Sequence, residues 1–161
     1  EFGGKQKKSN TMFSSRGNSS GASEVVVVPR NFKLLEDLET FEKGGDPRIS
    51  AGLKDPCDLL LIDWHASIIG APGTPFQNRI YSLSIHCPPN YPMSPPIIRF
   101  SNKINMRCVD QRGMVSISSI SNFQWQTATS TLPRLLIALA DEMKNANNRR
   151  LTQPNDSEIY S

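Results

Sequence analysis

Residues 88–100 read Pro88-Pro89-Asn90-Tyr91-Pro92-Met93-Ser94-Pro95-Pro96-Ile97-Ile98-Arg99-Phe100, and this stretch decides the fold. Its five prolines fix backbone torsions and remove hydrogen-bond donors, so most of the segment must be packed rather than paired in a sheet. Alternating apolar and polar residues precede it, and the apolar run Ile97-Ile98 closes it. The pattern therefore predicts a rigid connector between two β-strands.

Strand patterns extend outward from this connector. We predict four strands, at Ile49–Leu53, Cys57–Ile69, Ile80–Cys87 and Pro96–Phe100, with a Pro- and Gly-containing loop at 70–78 between the second and third. Short connections between consecutive strands favour an antiparallel meander, whose one face must be covered by a helix. The fold class predicted is α+β.

A helix is expected on each side of the strands. Pro29 suits a first helical turn, and Gly44-Gly45 should end that helix near Lys43. The stripe predicted to be buried consists of Leu34, Leu38 and Phe41, with Leu35 flanking it. Phe32 falls on nearly the opposite face, which is typical either of a frayed end that folds back or of an anchor for another protein. The last helix is predicted from about Ser130, as its cap, to Met143, and residues 151–161 should be irregular.

Composition narrows the functional classes. A chain of 161 residues with 37% hydrophobic residues has material for one core. We divide it into a Gly-, Ser- and Lys-rich lead at 1–24, predicted to be disordered and to begin with a vector-like Glu1-Phe2-Gly3-Gly4, and one domain at 25–161. Most of the net charge of +3 lies in that lead, which argues against nucleic-acid binding by the body.

The cysteines and the hydropathy pattern point to a reducing compartment. Cys57, Cys87 and Cys108 are an odd number without close spacing, which fits neither a disulfide framework nor a zinc cluster. No stretch approaches the ~20 apolar residues that a membrane helix needs, and no signal peptide is evident. We expect a cytoplasmic and nuclear protein without metal, cofactor or membrane partner.

The connector resembles the Tyr-Pro-x-x-Pro-Pro signature of ubiquitin-conjugating enzymes, here Tyr91-Pro92 followed by Pro95-Pro96. The predicted order of helix, meander, connector, irregular segment, tryptophan and helix agrees with that family from Val25 onward. The resemblance implies a ubiquitin-conjugating-enzyme-like fold. In active members the irregular segment carries a His-Pro-Asn triplet and, eight residues after its Asn, the cysteine that accepts ubiquitin.

This chain departs from the family at those positions. Aligning Lys103-Ile104 and Val109-Asp110 with the pattern places Met106, Arg107 and Cys108 on the triplet and Ser116 on the cysteine, while Gly113 keeps its place. A serine hydroxyl needs a base and gives a sluggish ester, whereas a thiolate is accessible near neutral pH. The lost Asn would have stabilised the oxyanion, an effect worth about 3 kcal/mol elsewhere. We therefore predict no catalytic residue, and neither Ser116 nor Cys108 as nucleophile.

The resemblance narrows to the short ubiquitin-conjugating enzyme variants, which pair with an active enzyme and lack its last two helices. It rests on Val28–Glu36, on Asn78–Leu83 and on Lys103-Ile104-Asn105. It implies a heterodimer that builds lysine-sixty-three-linked chains in DNA damage tolerance and signalling. Partner-binding residues would be Pro29, Arg30, Asn31, Phe32 and Leu35, and Phe32 matches the aromatic that enters the partner's pocket. Ser50, Ser67 and Ile80 would face the acceptor ubiquitin, although the same residues would also suit an ordinary sheet surface.

Two other functions stay open at this point. The same inactive fold could serve as a stand-alone adaptor that binds ubiquitin and a proline-rich peptide. The chain could also remain an enzyme through Cys108 or Ser116, and a reducible ubiquitin adduct would reveal that.

Overall fold

The computed structural model describes residues 29–160, so the predictions for the lead at 1–24 and for the start of the domain lie outside the described residues. Its helices are α1 (Arg30–Glu42), α2 (Leu132–Glu142) and a single turn, α3 (Ala146–Arg149), and its strands are β1 (Ile49–Leu53), β2 (Asp63–Ile69), β3 (Ile80–His86) and β4 (Ile97–Phe100). The strands form one antiparallel sheet in sequence order. The α+β meander predicted from the connector is confirmed.

The register of the sheet separates its two faces. Ser50 pairs with Ser67, Ser67 with Ser82, and Ile69 with Ile80. Because side chains alternate along a strand, these residues share the outer face. The inner face carries buried side chains that pack against α1 and α2, among them Trp64, Ile68, Leu83, Ile85, Ile98 and Phe100.

The second strand begins later than predicted, at Asp63 rather than Cys57. The Asp58 carboxylate accepts hydrogen bonds from the backbone N–H groups of Leu60 at 3.1 Å and Ile62 at 2.8 Å. Leu61 has a φ of 55°, which is incompatible with a strand. An aspartate that binds backbone donors ahead of it favours a turn over ladder pairing, and the leucine run after it hides that preference in the sequence.

Helix α1 buries a narrower stripe than its wheel predicts. Leu34 is fully buried, Leu38 and Phe41 pack partly against the core, and Leu35 is 48% exposed. Asp37, which sequence reasoning left unassigned, is buried. Its carboxylate accepts the Leu132 N–H at 3.1 Å and lies 3.5 Å from the Tyr91 hydroxyl. One acidic side chain thus joins α1 to the start of α2 and to the proline connector.

The end of the domain differs in detail from its prediction. Thr131, not Ser130, caps α2 by accepting the Arg134 N–H, while the Ser130 hydroxyl accepts the Gln126 N–H at 2.8 Å. Residues 151–160 are largely irregular, as predicted, but Ile159 forms an isolated β-bridge with Asn102. Between residues 29 and 160, no helix is long and apolar enough to cross a membrane.

Candidate functional site

The irregular segment between β4 and α2 contains Met106, Arg107, Cys108 and Ser116, the positions that the resemblance aligns with the family's triplet and cysteine. Cys108 is only 1% exposed. Burial, together with the nearby Glu142 carboxylate, raises the pKa of its thiol to about 12. A thiol that is both inaccessible and protonated at neutral pH is a poor nucleophile. Cys108 therefore has no route to a ubiquitin carboxyl terminus in this conformation.

Ser116 lies on the surface at the start of a short 3-10 turn, Ile117–Ser119. Its Oγ lies 3.3 Å from the Ser118 Oγ and 3.1 Å from the Ser119 Oγ. These neighbours are hydroxyl groups, and none is a base at neutral pH. A hydroxyl needs such a base to become a nucleophile, and neither of these two hydrogen-bond partners of Ser116 can act as one.

Two buried polar residues fix this segment, and sequence reasoning missed both. Asn148 accepts the Arg107 N–H at 2.9 Å and donates to the Glu142 carbonyl oxygen at 2.8 Å. The Glu142 carboxylate accepts the Ser121 N–H at 3.0 Å. Met106, which precedes Arg107 in the chain, is also buried. Glu142 lies on the apolar face of α2. A charged residue at such a position of the sequence indicates a buried hydrogen-bond network, and this signal could have identified it.

Exposed apolar side chains gather around the first turn of α1. Phe32 is 62% exposed, and Leu35 lines a shallow groove with it. The Asp58 turn brings Leu59 and Leu60 to the surface, and the Arg30 guanidinium binds the Leu60 carbonyl oxygen. Sequence reasoning assigned these two leucines to a strand and so missed them, although three consecutive leucines already break the alternation of a strand.

Of the predicted partner-binding residues, four are exposed to solvent, and Arg30 is bound within the domain. Phe32 and Leu35 point outward, with Pro29 and Asn31 exposed beside them. The Arg30 guanidinium instead donates to the carbonyl oxygens of Pro88 and Cys87, both at 3.0 Å. It thereby holds the start of α1 against the end of β3. Its contacts within the domain indicate a role in positioning the helix.

The three predicted ubiquitin-facing residues lie together on the outer face of the sheet. Ser50 and Ser67 are direct cross-strand partners on β1 and β2. Ile80 is 66% exposed on β3, and its partner Ile69 lies two residues from Ser67 on the same face. The face thus combines small hydroxyl groups with a pair of exposed isoleucines. The sequence analysis did not assign Ile69 to this face, although the alternation of side chains along β2 places it on the same side as Ser67.

The two tryptophans pack within the domain. Trp64 is fully buried. Trp125 is half-buried, and its indole N–H donates to the Pro92 carbonyl oxygen at 2.8 Å. In residues 29–160, no group of three or more His, Cys, Asp or Glu side chains is arranged to hold a metal ion.

Comparison with known proteins agrees with this geometry. The ubiquitin-conjugating enzyme family profile matches residues 33–161. The solved structure of human ubiquitin-conjugating enzyme E2 G1 superposes with a TM-score of 0.64 at 28% identity, covering 74% of this chain and 99% of that one. The chain belongs to the ubiquitin-conjugating enzyme family.

Its curated relatives include several enzyme variants. Ubiquitin-conjugating enzyme variant MMS2 of Saccharomyces cerevisiae is 44% identical over 83% of this chain and 98% of its own length. Ubiquitin-conjugating enzyme E2 variant 1B of Arabidopsis thaliana is 43% identical over 81% of this chain and 84% of its own. Ubiquitin-conjugating enzyme spm2 of Schizosaccharomyces pombe is 42% identical over 84% and 99%. Within the family, the chain is a ubiquitin-conjugating enzyme variant.

Proposed function

We propose that this protein is the non-catalytic subunit of a heterodimer with an active ubiquitin-conjugating enzyme. It holds an acceptor ubiquitin without a covalent bond, so that one lysine of that ubiquitin reaches the thioester on the partner. The products are lysine-sixty-three-linked chains, used in DNA damage tolerance and signalling, in the cytoplasm and nucleus. No cofactor takes part.

The observation that carries the proposal is the chemistry at Ser116 and Cys108. The exposed residue, Ser116, has a hydroxyl group that lies beside another serine hydroxyl. The thiol of Cys108 is buried, and its pKa is raised to about 12. Because the segment around Ser116 offers no accessible thiol, we propose that the domain contributes by binding. Holding two reactants in one geometry supplies several kcal/mol without any chemical group.

The two exposed faces give this binding role its geometry. The outward side chains Phe32 and Leu35 offer an apolar anchor at one end of the domain, the arrangement typical of an interface hot spot. The outer face of the sheet, with Ser50, Ser67 and Ile80 on neighbouring strands, offers hydroxyl and apolar side chains to a folded partner. Separate faces allow both partners to be bound at once.

The test is reconstitution with ubiquitin, activating enzyme, ATP and candidate active conjugating enzymes. We expect free ubiquitin chains from one of the pairs and from neither protein alone. Substituting lysine sixty-three of the acceptor ubiquitin by arginine should abolish them. Binding of a proline-rich peptide, with no chain synthesis by any pair, would contradict the proposal and favour the adaptor.

A further inference from the structure

The last described segment, Thr152–Tyr160, crosses the domain as an ordered strap. The strap pairs with residues 101–105, which follow β4: the Tyr160 N–H donates to the Ser101 carbonyl oxygen, and the Lys103 N–H donates to that of Glu158, both at 2.9 Å. The Tyr160 hydroxyl also donates to the Ile104 carbonyl oxygen at 3.0 Å. These contacts form a short extra ladder beside the sheet.

Two further contacts fix the strap along its length. The side chain of Gln153 accepts the Asn105 N–H at 2.9 Å and donates to the Asn105 carbonyl oxygen at 2.8 Å. Gly113 makes room for the Tyr160 ring, since a Cβ there would lie 2.7 Å from it. Gly113 also has a φ of 87°, which favours glycine. The strap is thus attached at both ends by specific, directional contacts.

The strap also reaches the edge of the acceptor face. The Arg79 guanidinium donates to the Pro154 carbonyl oxygen at 2.7 Å, and Arg79 directly precedes Ile80. At the other end, Asn102, which forms the bridge with Ile159 in the strap, accepts the Ser82 N–H at 2.7 Å through its side chain. Ser82 is the cross-strand partner of Ser67. The strap therefore contacts Arg79, the neighbour of Ile80, directly, and it is linked through Asn102 to Ser82, the partner of Ser67.

We propose that the strap is a positioning element for the acceptor ubiquitin, acting through the contact between Arg79 and Pro154 and through Asn102. It holds the start of β3, and with it Ile80, in the geometry that ubiquitin recognises. Arg79 and Gln153 are its positioning residues. This inference rests on the proposed function, because it deepens the assignment of the sheet face.

The experiment titrates unmodified ubiquitin into the isotope-labelled full chain and follows the dissociation constant by NMR. We expect Gln153→Ala, which releases the strap, and Arg79→Ala, which removes its contact at β3, each to raise the dissociation constant about 3- to 10-fold. The double variant should be no weaker than the worse single variant, because both remove the same coupling. In the heterodimer, both single variants should raise KM for acceptor ubiquitin and leave kcat unchanged.

Controls separate this inference from the proposed function. Ile80→Ala removes a direct contact and should weaken ubiquitin binding, whereas Ile97→Ala, exposed on β4, should not. If Ile80→Ala binds like the wild type, the acceptor face is wrong and the strap proposal falls with it. If Ile80→Ala weakens binding but Gln153→Ala does not, or if the effects of Gln153→Ala and Arg79→Ala add, only the strap proposal is overturned. An equal loss of affinity for the partner enzyme would also overturn it.

Discussion

At the residue scale, the sequence pattern and the structure agree that the Phe32 side chain lies outside the core. Its position on the helical wheel excludes it from the core stripe, and its side chain is 62% exposed in the structure. A large exposed aromatic in the first turn of a helix is costly to leave in water. The proposed docking of the active conjugating enzyme on α1 would bury this side chain.

Replacing Phe32 tests this anchor. We expect Phe32→Ala to weaken binding of the active conjugating enzyme roughly 30-fold, since hot-spot aromatics contribute about 2 kcal/mol or more. The free energy of unfolding should be unchanged, because the Phe32 side chain packs little in the free domain. Isothermal calorimetry measures the affinity, with Ile97→Ala on the sheet as the matched control. Equal affinity of Phe32→Ala and wild type would refute the assignment.

The cysteines provide a second test at this scale. Cys57 is exposed, whereas Cys87 and Cys108 are buried, and burial raises the pKa of each buried thiol to about 12. We expect iodoacetamide at pH 7.5 to label one cysteine in the folded protein and all three after unfolding. Mass spectrometry of the peptides identifies the site. Rapid labelling of Cys108 in the folded protein would reopen its role as a nucleophile.

At the scale of elements, Asp37 links α1, α2 and the connector. Burial raises the pKa of its carboxyl from 3.8 to about 6, although the Leu132 N–H opposes that shift. The folded state therefore binds a proton more tightly than the unfolded state. The stability contributed by this group is fully present below about pH 4 and is lost as the pH rises through about 6.

The variant Asp37→Asn isolates this effect, because an amide oxygen still accepts the Leu132 N–H but carries no charge. We expect the free energy of unfolding of wild type, relative to the variant, to fall by roughly 2–3 kcal/mol between pH 4 and pH 7. Urea unfolding at each pH measures it. A difference between the two proteins that does not change with pH would contradict a buried, titrating Asp37.

Elements also show how far the sequence predicts this fold. The alternation in β3 and the prolines after it predict the meander correctly, because periodicity reports directly which face is buried. The predicted start of β2 was wrong, because the hydrogen bonds of the Asp58 side chain outweigh the strand preference of the leucines that follow it. Long-range contacts such as Arg30 with Cys87 or Tyr160 with Ile104 leave no local signal.

At the scale of the whole molecule, the surfaces that we propose for the two partners lie on different elements. The first turn of α1 presents Phe32, the outer sheet presents Ile80, and the Ser116 hydroxyl lies beside other serine hydroxyls. The candidate site could be located from the sequence only through its resemblance to a family, because a sheet surface of serines carries no chemical signature. The strap emerged only from the folded chain, whereas Ile69 and Leu59 had signals in the sequence that were not used.

The most direct test of the central claim is a single-turnover discharge measured on a non-reducing gel. The active conjugating enzyme is first loaded with ubiquitin, and acceptor ubiquitin is then added with or without this protein. We predict that the protein accelerates formation of diubiquitin while it remains free of any adduct. Transfer of ubiquitin onto this protein through a bond that reducing agent breaks, or no acceleration by any partner, would contradict the account.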